Sequence, residues 1–338
     1  MNTKTKHQLL EKIEDAGLVG RGGAGFPTHL KWKFVDEAKG TKKYVVCNAS
    51  EGEIGLFKDI YILDHHTEEV FEGMRLAMDY LGTKHAWFNM NANYYRTLQE
   101  KLEALITKYK KKGYDFRIYQ EKPSYIGGEE TALLNAIEGK RAKPRLKPPF
   151  PAQKGLFGKP TLVHNVETLY NVYQVDRGIF ANDRFYCLLG PVRYPGVYEL
   201  PADLTLYQVM ERTNNIPDFD FFVQVGGSAS GIVYNSEQIK AEPMSGGGSI
   251  EVYRADTPPK EMLLKWFEFY KRESCGKCTP CREGTYQLYE LISTSKKIPW
   301  RQIADILDLL EAGSFCALGK SVPTAVRTYC ENVLGKKL

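Results

Sequence analysis

The feature that most constrains this chain is a cysteine pattern near its carboxyl end. Cys275, Cys278 and Cys281 stand three residues apart, and Cys316 follows further along. Thiols at C-x-x-C-x-x-C spacing are too close to pair sensibly among themselves. The amino terminus, Met1 to His7, is polar and has no apolar secretory core, so the chain reads as cytoplasmic, where disulfides are disfavoured. Metal ligation accounts for the cluster better. Zinc sites usually join two C-x-x-C hairpins, whereas a C-x-x-C-x-x-C run with one distant cysteine is the pattern of a [4Fe-4S] cluster, and the spacing favours iron over zinc. Lys277 and Arg282, with backbone N–H groups around Gly276, Gly284 and Gly319, are placed to offset the negative charge of such a cluster and influence its potential. The isolated Cys47, Cys187 and Cys330 read as small buried hydrophobes.

At 338 residues the chain exceeds one usual domain. No apolar run approaches the length that spans a bilayer, and 46 basic against 41 acidic residues, interspersed, is too even a balance for nucleic-acid binding. Periodicity divides the rest. Residues 1–180 alternate helix and strand: a short amphipathic helix with Leu9, Leu10 and Ile13, a second from Thr28, strands over 44–47, 85–89 and 115–119, and helices around 70–78 and 94–109. That alternation predicts parallel βαβ units and an α/β domain. Residues 181–255 carry short strands at 184–189, 196–200 and 221–225 with Gly-Pro turns and one short helix, a small α+β unit. Residues 256–338 show only helical patterns, a bundle into which the cysteines are built.

Two further patches carry chemistry. Gly20-Arg21-Gly22-Gly23-Ala24-Gly25 matches G-x-G-x-x-G by letter, but a helix rather than a strand precedes it, which argues against an ordinary dinucleotide fold. The glycines still permit close approach of backbone to a ligand, and the helix that follows favours a phosphate. Tyr125-Ile126-Gly127-Gly128-Glu129-Glu130-Thr131 is a second glycine turn, leading into the acidic start of a helix. Arg145 to Pro151 reads as a rigid polyproline-like segment fixing Lys147 and Phe150.

Taken together, Gly20 to Trp32 (GRGGAGFPTHLKW), Tyr125 to Leu134 (YIGGEETALL), Arg145 to Ala152 (RLKPPFPA) with Gly155 to Leu169, and Glu273 to Gly284 (ESCGKCTPCREG) resemble the NADH-binding flavoprotein subunit of respiratory complex I, the 51 kDa family. That family includes diaphorase subunits of NAD-linked hydrogenases and formate dehydrogenases. The resemblance implies a Rossmann-like FMN domain with a parallel sheet, a small ubiquitin-like β-grasp (SLBB) domain and a helical [4Fe-4S] domain. It assigns FMN to Gly20, Arg21, Gly22, Gly23, Ala24, Lys31, Asn48, Tyr125, Gly128, Glu129, Asn165 and Thr168. NADH falls to Phe26, Phe34 and Phe150, which resemble the aromatics that sandwich adenine, with Glu53, Glu130 and Lys147. The cluster ligands are Cys275, Cys278, Cys281 and Cys316. No catalytic side chain is expected, since the flavin performs hydride transfer.

The implied function is exchange of hydride between NADH or NAD+ and FMN, then one-electron transfer through the cluster to partner subunits, with flavin-based bifurcation as a further expectation. The implied partners are a [2Fe-2S] subunit of the 24 kDa type and a larger iron-sulfur or catalytic subunit of a hydrogenase, formate dehydrogenase or complex I-like assembly. Neither nucleic acid nor membrane insertion is expected, and the chain is cytoplasmic or peripheral to a membrane complex. Against the family it reads as a minimal version, without a longer amino-terminal region or appended thioredoxin-like or ferredoxin domains. Two positions depart from the family pattern: Ser50 stands where it carries an acid, and His164 where it often carries asparagine. They motivate an alternative, an iron-sulfur scaffold that has lost NADH turnover; a zinc-stabilised binding module is a third reading.

Overall fold

The computed structural model describes residues 1–338. They form two compact units, Met1–Gly52 with Phe57–Arg184, and Glu53–Leu56 with Phe185–Leu338.

The first unit contains α1 (Thr3–Asp15), α2 (Thr28–Glu37), β1 (Tyr44–Ala49), α3 (Lys58–His65), α4 (Thr67–Leu81), β2 (His85–Asn91), α5 (Ala92–Lys110), β3 (Asp115–Glu121), α6 (Glu130–Ile137), α7 (Pro151–Lys154), β4 (Thr161–Asn165) and α8 (Val166–Arg177). Its sheet runs β3-β2-β1-β4 with every adjacent pair parallel. Parallel strands need crossover helices and are buried on both faces, and Val45, Val46 and Cys47 of β1 are accordingly fully buried. Val70, Phe71, Met74, Ala77, Met78 and Leu81 recur at helical spacing along α4 and all are buried. Phe71 packs on Phe88 and Phe116, each with ring centroids 4.9 Å away, and burying an aromatic of this size contributes about 1.5–3 kcal/mol. On the other side, Leu133, Leu134 and Ile137 of α6 close over Tyr44, Val46 and Val163.

Sequence reading found β1, β2 and β3 but missed β4, α3, α7 and α8. β4 has no turn separating it from α8, and Asn165 ends the strand and caps the helix by accepting from Glu167 N. Without β4 the sheet order is incomplete. With it, the chain leaves β1 on one side for β2 and β3 and on the other for β4, and the crevice beyond the carboxyl ends of β1 and β4 is the point where open α/β sheets bind ligands.

The second unit contains β5 (Asp183–Leu189), β6 (Gly196–Pro201), α9 (Leu206–Arg212), β7 (Phe221–Val225), β8 (Ile232–Asn235), β9 (Ser249–Arg254), α10 (Pro259–Glu273), α11 (Thr279–Thr294), α12 (Trp300–Gly313) and α13 (Ala317–Asn332). The sheet order is β6-β5-β9-β7-β8, with β5 parallel to β9 and β7 antiparallel to both β8 and β9. Counted within the unit this is 2-1-5-3-4 with the first and last strands parallel at the centre, the β-grasp arrangement. Leu206, Val209 and Met210 of α9 cover one face over Leu188, Val223 and Val252. The helices follow: buried Trp266 donates its indole N–H to Gln224 Oε1 at 3.0 Å, so the buried amide keeps a partner, and Tyr329 packs on Phe222. No helix is long and apolar enough to cross a membrane.

Candidate functional site

The ends of β1 and β4 meet in register, Asn48 opposite Asn165, so the switch point of the sheet is marked by two amides. Asn48 Nδ2 donates to the carbonyl of Gly128 at 2.8 Å, and Asn48 Oδ1 accepts from Ser50 N, which ties the Tyr125–Glu129 turn to the end of β1. The glycine loop lies over α8. Arg21 N donates to Thr168 Oγ1 at 2.9 Å, and a Cβ on Gly22 would stand 3.2 Å from the Asn165 Cβ, so this approach suits glycine. Gly22, Gly23 and Ala24 remain exposed backbone. The Arg21 side chain is buried, with Nη2 donating to Asn182 Oδ1 at 2.7 Å, so it anchors the loop. The donor set fits a flavin nucleotide: exposed glycine backbone, amides at the strand ends and a charged rim.

That rim is an ion-pair cluster. Glu130 meets Lys31 at 3.2 Å and Lys147 at 3.1 Å, and Lys147 also donates to Glu129 Oε1 at 2.8 Å. Glu129 caps α6 through Thr131 N and Ala132 N. Burial alone would raise the Glu130 pKa, but the two ammonium groups outweigh it and hold the carboxyl below its ordinary value. Burial would lower Lys147, and its two glutamates raise it instead. Phe26, Phe34 and Phe150 are about half exposed, and the first two rings lie 6.3 Å apart. α7, which follows Phe150, packs against α2, which carries Phe34. The expected polyproline-like geometry is not seen: the Lys147–Pro148 and Pro148–Pro149 bonds are both cis.

Glu53 belongs to the second unit. Its carboxylate is buried and accepts from Ala229 N at 3.0 Å, Ser230 N at 3.4 Å and the Ser230 hydroxyl at 2.6 Å. Its geometry is therefore fixed by the loop after β7.

Sequence reasoning missed a buried charge network in the first unit. Lys58 lies 2.6 Å from Asp59, 3.1 Å from Glu167 and 3.1 Å from Asn165 Oδ1, while Asn165 Nδ2 donates to Asp59. Glu51 accepts from Asp59 N at 2.8 Å and from the Tyr94 hydroxyl at 2.8 Å. Three acids thus surround one ammonium, and these attractions raise the Lys58 pKa even though burial lowers it. Burial, and secondarily Asp59, push the Glu51 carboxyl up to about 8. The only sequence signal was the density of charge in Glu51 to Asp59; the pairing depends on β1, α3 and α8 being adjacent.

In the second unit the cysteines sit at helix starts. Cys278 stands at the residue before α11, Cys281 lies in its first turn, Cys316 stands at the residue before α13, and Cys275 precedes α11 in the loop after α10. Helix amino termini favour anionic sulfur. Cys278 Sγ accepts from Phe315 N at 3.4 Å, and Ser274 Oγ lies 3.4 Å from Cys281 Sγ. Cys281 is pushed up to about 11 by burial first, and next, against the Ser274 contact, by the charges of Cys278, Cys316 and Cys275. The four thiols do not converge as ligands of a single ion. In a [4Fe-4S] cluster each cysteine binds its own iron, so four sulfurs need not meet at one point. Gly319 lets α13 close on α11: a Cβ there would fall 2.3 Å from Ser314 Oγ and 3.1 Å from Cys281 Cβ. Lys277 stacks over Phe315 at 3.7 Å, while Arg282 is taken up by Glu283 and the Gly276 carbonyl. Cys47, Cys187 and Cys330 are fully buried, as expected.

Residues 13–174 match the family described as the Nuo51 FMN-binding domain, and residues 261–333 match the NADH-ubiquinone oxidoreductase-F iron-sulfur binding region. Over 96% of its length the chain is 34% identical to an NADH-quinone oxidoreductase subunit of Rhizobium meliloti, covering 86% of that protein. The chain belongs to this family. It is likewise 34% identical to the corresponding NADH-quinone oxidoreductase subunit of Aquifex aeolicus, covering 84% of it, and 32% identical to the alpha subunit of the NAD-reducing hydrogenase HoxS of Cupriavidus necator, of which it spans 59%. A crystal structure of an NAD+-reducing [NiFe]-hydrogenase superposes with a TM-score of 0.89 at 32% identity, over 97% of this chain and 61% of that one. As a member of the family the chain is an NADH dehydrogenase-type oxidoreductase with FMN and a [4Fe-4S] cluster as cofactors.

Proposed function

We propose that this chain is the electron-input subunit of a larger oxidoreductase, binding NADH against FMN and passing electrons to partner subunits. FMN when bound accepts a hydride from NADH, and the cluster carries electrons onward singly. The chain's own residues position and shield. Asn48, Gly128, Asn165 and Thr168 fix the backbone of the FMN cradle with Gly20 to Ala24, and Lys31, Tyr125 and Glu129 complete it. Phe26, Phe34 and Phe150 offer ring faces to an adenine, and Glu130 with Lys147 is held ionised for the nucleotide. Cys275, Cys278, Cys281 and Cys316 hold the cluster.

Glu53 is assigned to the adenine ribose hydroxyls. Ala229 N, Ser230 N and the Ser230 hydroxyl hold the carboxylate in place, and a 2′-phosphate brought to it meets a group of its own charge. NADH is therefore preferred over NADPH.

The proposed partners are a [2Fe-2S] subunit of the 24 kDa type and a larger iron-sulfur or catalytic subunit; bifurcation is a further reading of the same module, and the chain acts in the cytoplasm or at the edge of a membrane complex. The observation that carries the proposal is the pair of asparagines at the sheet's switch point beneath an exposed glycine loop. The test is the visible spectrum of the purified chain: flavin absorbance that NADH bleaches supports it, and cluster absorbance without flavin overturns it in favour of the scaffold reading.

A further inference from the structure

Ser50 stands at the end of β1, where the resemblance implies an acid, and the structure brings a carboxylate to it. Glu121 ends β3 and is buried. Its Oε2 accepts from the Ser50 hydroxyl at 2.6 Å and from Asn89 Nδ2 at 2.7 Å, and its Oε1 accepts from the Ser124 hydroxyl at 3.0 Å. Asn89 donates to Ser50 Oγ as well, at 2.6 Å. A buried carboxylate is costly unless donors surround it, and here three do. The fold also leaves space for it: a Cβ on Gly127 would lie 1.3 Å from Glu121 Oε1. The carboxylate therefore occupies the place of a side chain in the Tyr125–Glu129 turn. Ser50 completes the link, with its hydroxyl 3.2 Å from the Gly127 carbonyl and its backbone N–H on Asn48 Oδ1.

We infer that Glu121 supplies from β3 the acid that position 50 lacks, and that as a positioning residue it sets Ser50, Asn48 and the Gly127–Gly128 turn against FMN while holding a negative charge beside it. This rests on the assignment of FMN to Asn48, Tyr125 and Gly128. A flavin gains negative charge on reduction, so a fixed carboxylate nearby opposes reduction and keeps the flavin potential low.

The test uses the full chain with its cluster loaded. FMN is removed and rebound, followed by the loss of flavin fluorescence, and the flavin midpoint potential is titrated with redox dyes. Glu121→Gln keeps the shape and removes the charge. Its Kd for FMN rises about tenfold and its midpoint potential moves positive. Adding Ser50→Asp to it returns both to within about twofold of the native chain, because the acid is restored from the other strand. If the native chain itself does not bind FMN, the assignment beneath the inference fails and the inference with it. If the native chain binds and Glu121→Gln matches it in both readouts, the inference alone is overturned. A weaker Kd with an unmoved potential and no recovery in the double variant marks a scaffold role and also overturns it. Should Glu121→Gln fail to fold, Ser50→Ala cuts the link and leaves the carboxylate in place: weakened FMN binding supports the inference, and native binding overturns it.

Discussion

Trp32 donates its indole N–H to Nε2 of His164 at 2.9 Å, and both side chains are buried. The bond requires an unprotonated Nε2, so the imidazole is neutral with its proton on Nδ1. Burial, and then the Lys31 charge, hold its pKa well below 6.5.

A stability consequence follows from the sign of that shift. The unfolded chain protonates His164 near pH 6.5 and the folded chain does not, so the unfolded state binds the extra proton and stability falls as pH drops below that value. Comparison of Tm between pH 7 and 5 is expected to show a shallower loss in His164→Asn, which keeps an acceptor for Trp32 without a titratable ring. An equal loss in both proteins contradicts this account.

Glu51 tilts stability the other way. Its folded carboxyl is raised from 4.5 to about 8, so the folded state holds a proton that the unfolded state has released, and this contribution is lost as pH rises through that window. Glu51→Gln is expected to gain stability relative to the native chain as pH goes from 5 to 8 in denaturant titrations. Lys58→Met leaves Asp59 and Glu167 without their ammonium and is expected to cost about 3–5 kcal/mol.

The cysteines separate by role. Replacing Cys275, Cys278, Cys281 or Cys316 singly with serine is expected to reduce iron from about four per chain and to diminish the visible absorbance. Cys187→Ala and Cys330→Ala should retain full iron, since both thiols are packing groups in the same unit. Gly319→Ala, which forces a methyl against Ser314 and Cys281, is expected to lower iron content without removing a ligand.

Nucleotide selectivity tests the two acidic assignments. Glu53→Gln is expected to narrow the preference for NADH over NADPH in kcat/KM by about tenfold or more. Lys147→Met leaves Glu129 and Glu130 without their shared ammonium and is expected to raise KM for NADH with a smaller change in kcat.

Much of this molecule was legible in its residues. Spacing singled out Cys275, Cys278, Cys281 and Cys316 as the proposed ligands, and the structure sets Cys278, Cys281 and Cys316 at the starts of α11 and α13. The amphipathic period of Leu9 and Ile13, or of Val70 to Met78, located helices. Three strands escaped: β4, which runs directly into α8, β8, which has only four residues, and β9. A short apolar run has no period of its own, and only pairing with β1 or β7 makes it a strand.

Tertiary structure decided what long-range contact alone can create. Composition and motifs determined a two-cofactor chain with an α/β first part and a helical cysteine-bearing end, since those signals are carried by neighbours in sequence. Folding decided that Arg21 turns inward to Asn182, that Glu53 is fixed by the loop after β7, and that Lys58 pairs with Asp59 and Glu167. It also decided that Ser50, an apparent loss at the proposed flavin site, is met by Glu121 from a strand two places away in the sheet. Hydrogen bonds act over about 3 Å whatever the separation along the chain, so the partners of a buried polar group are set by the packing of strands and helices and not by the residues beside it in sequence.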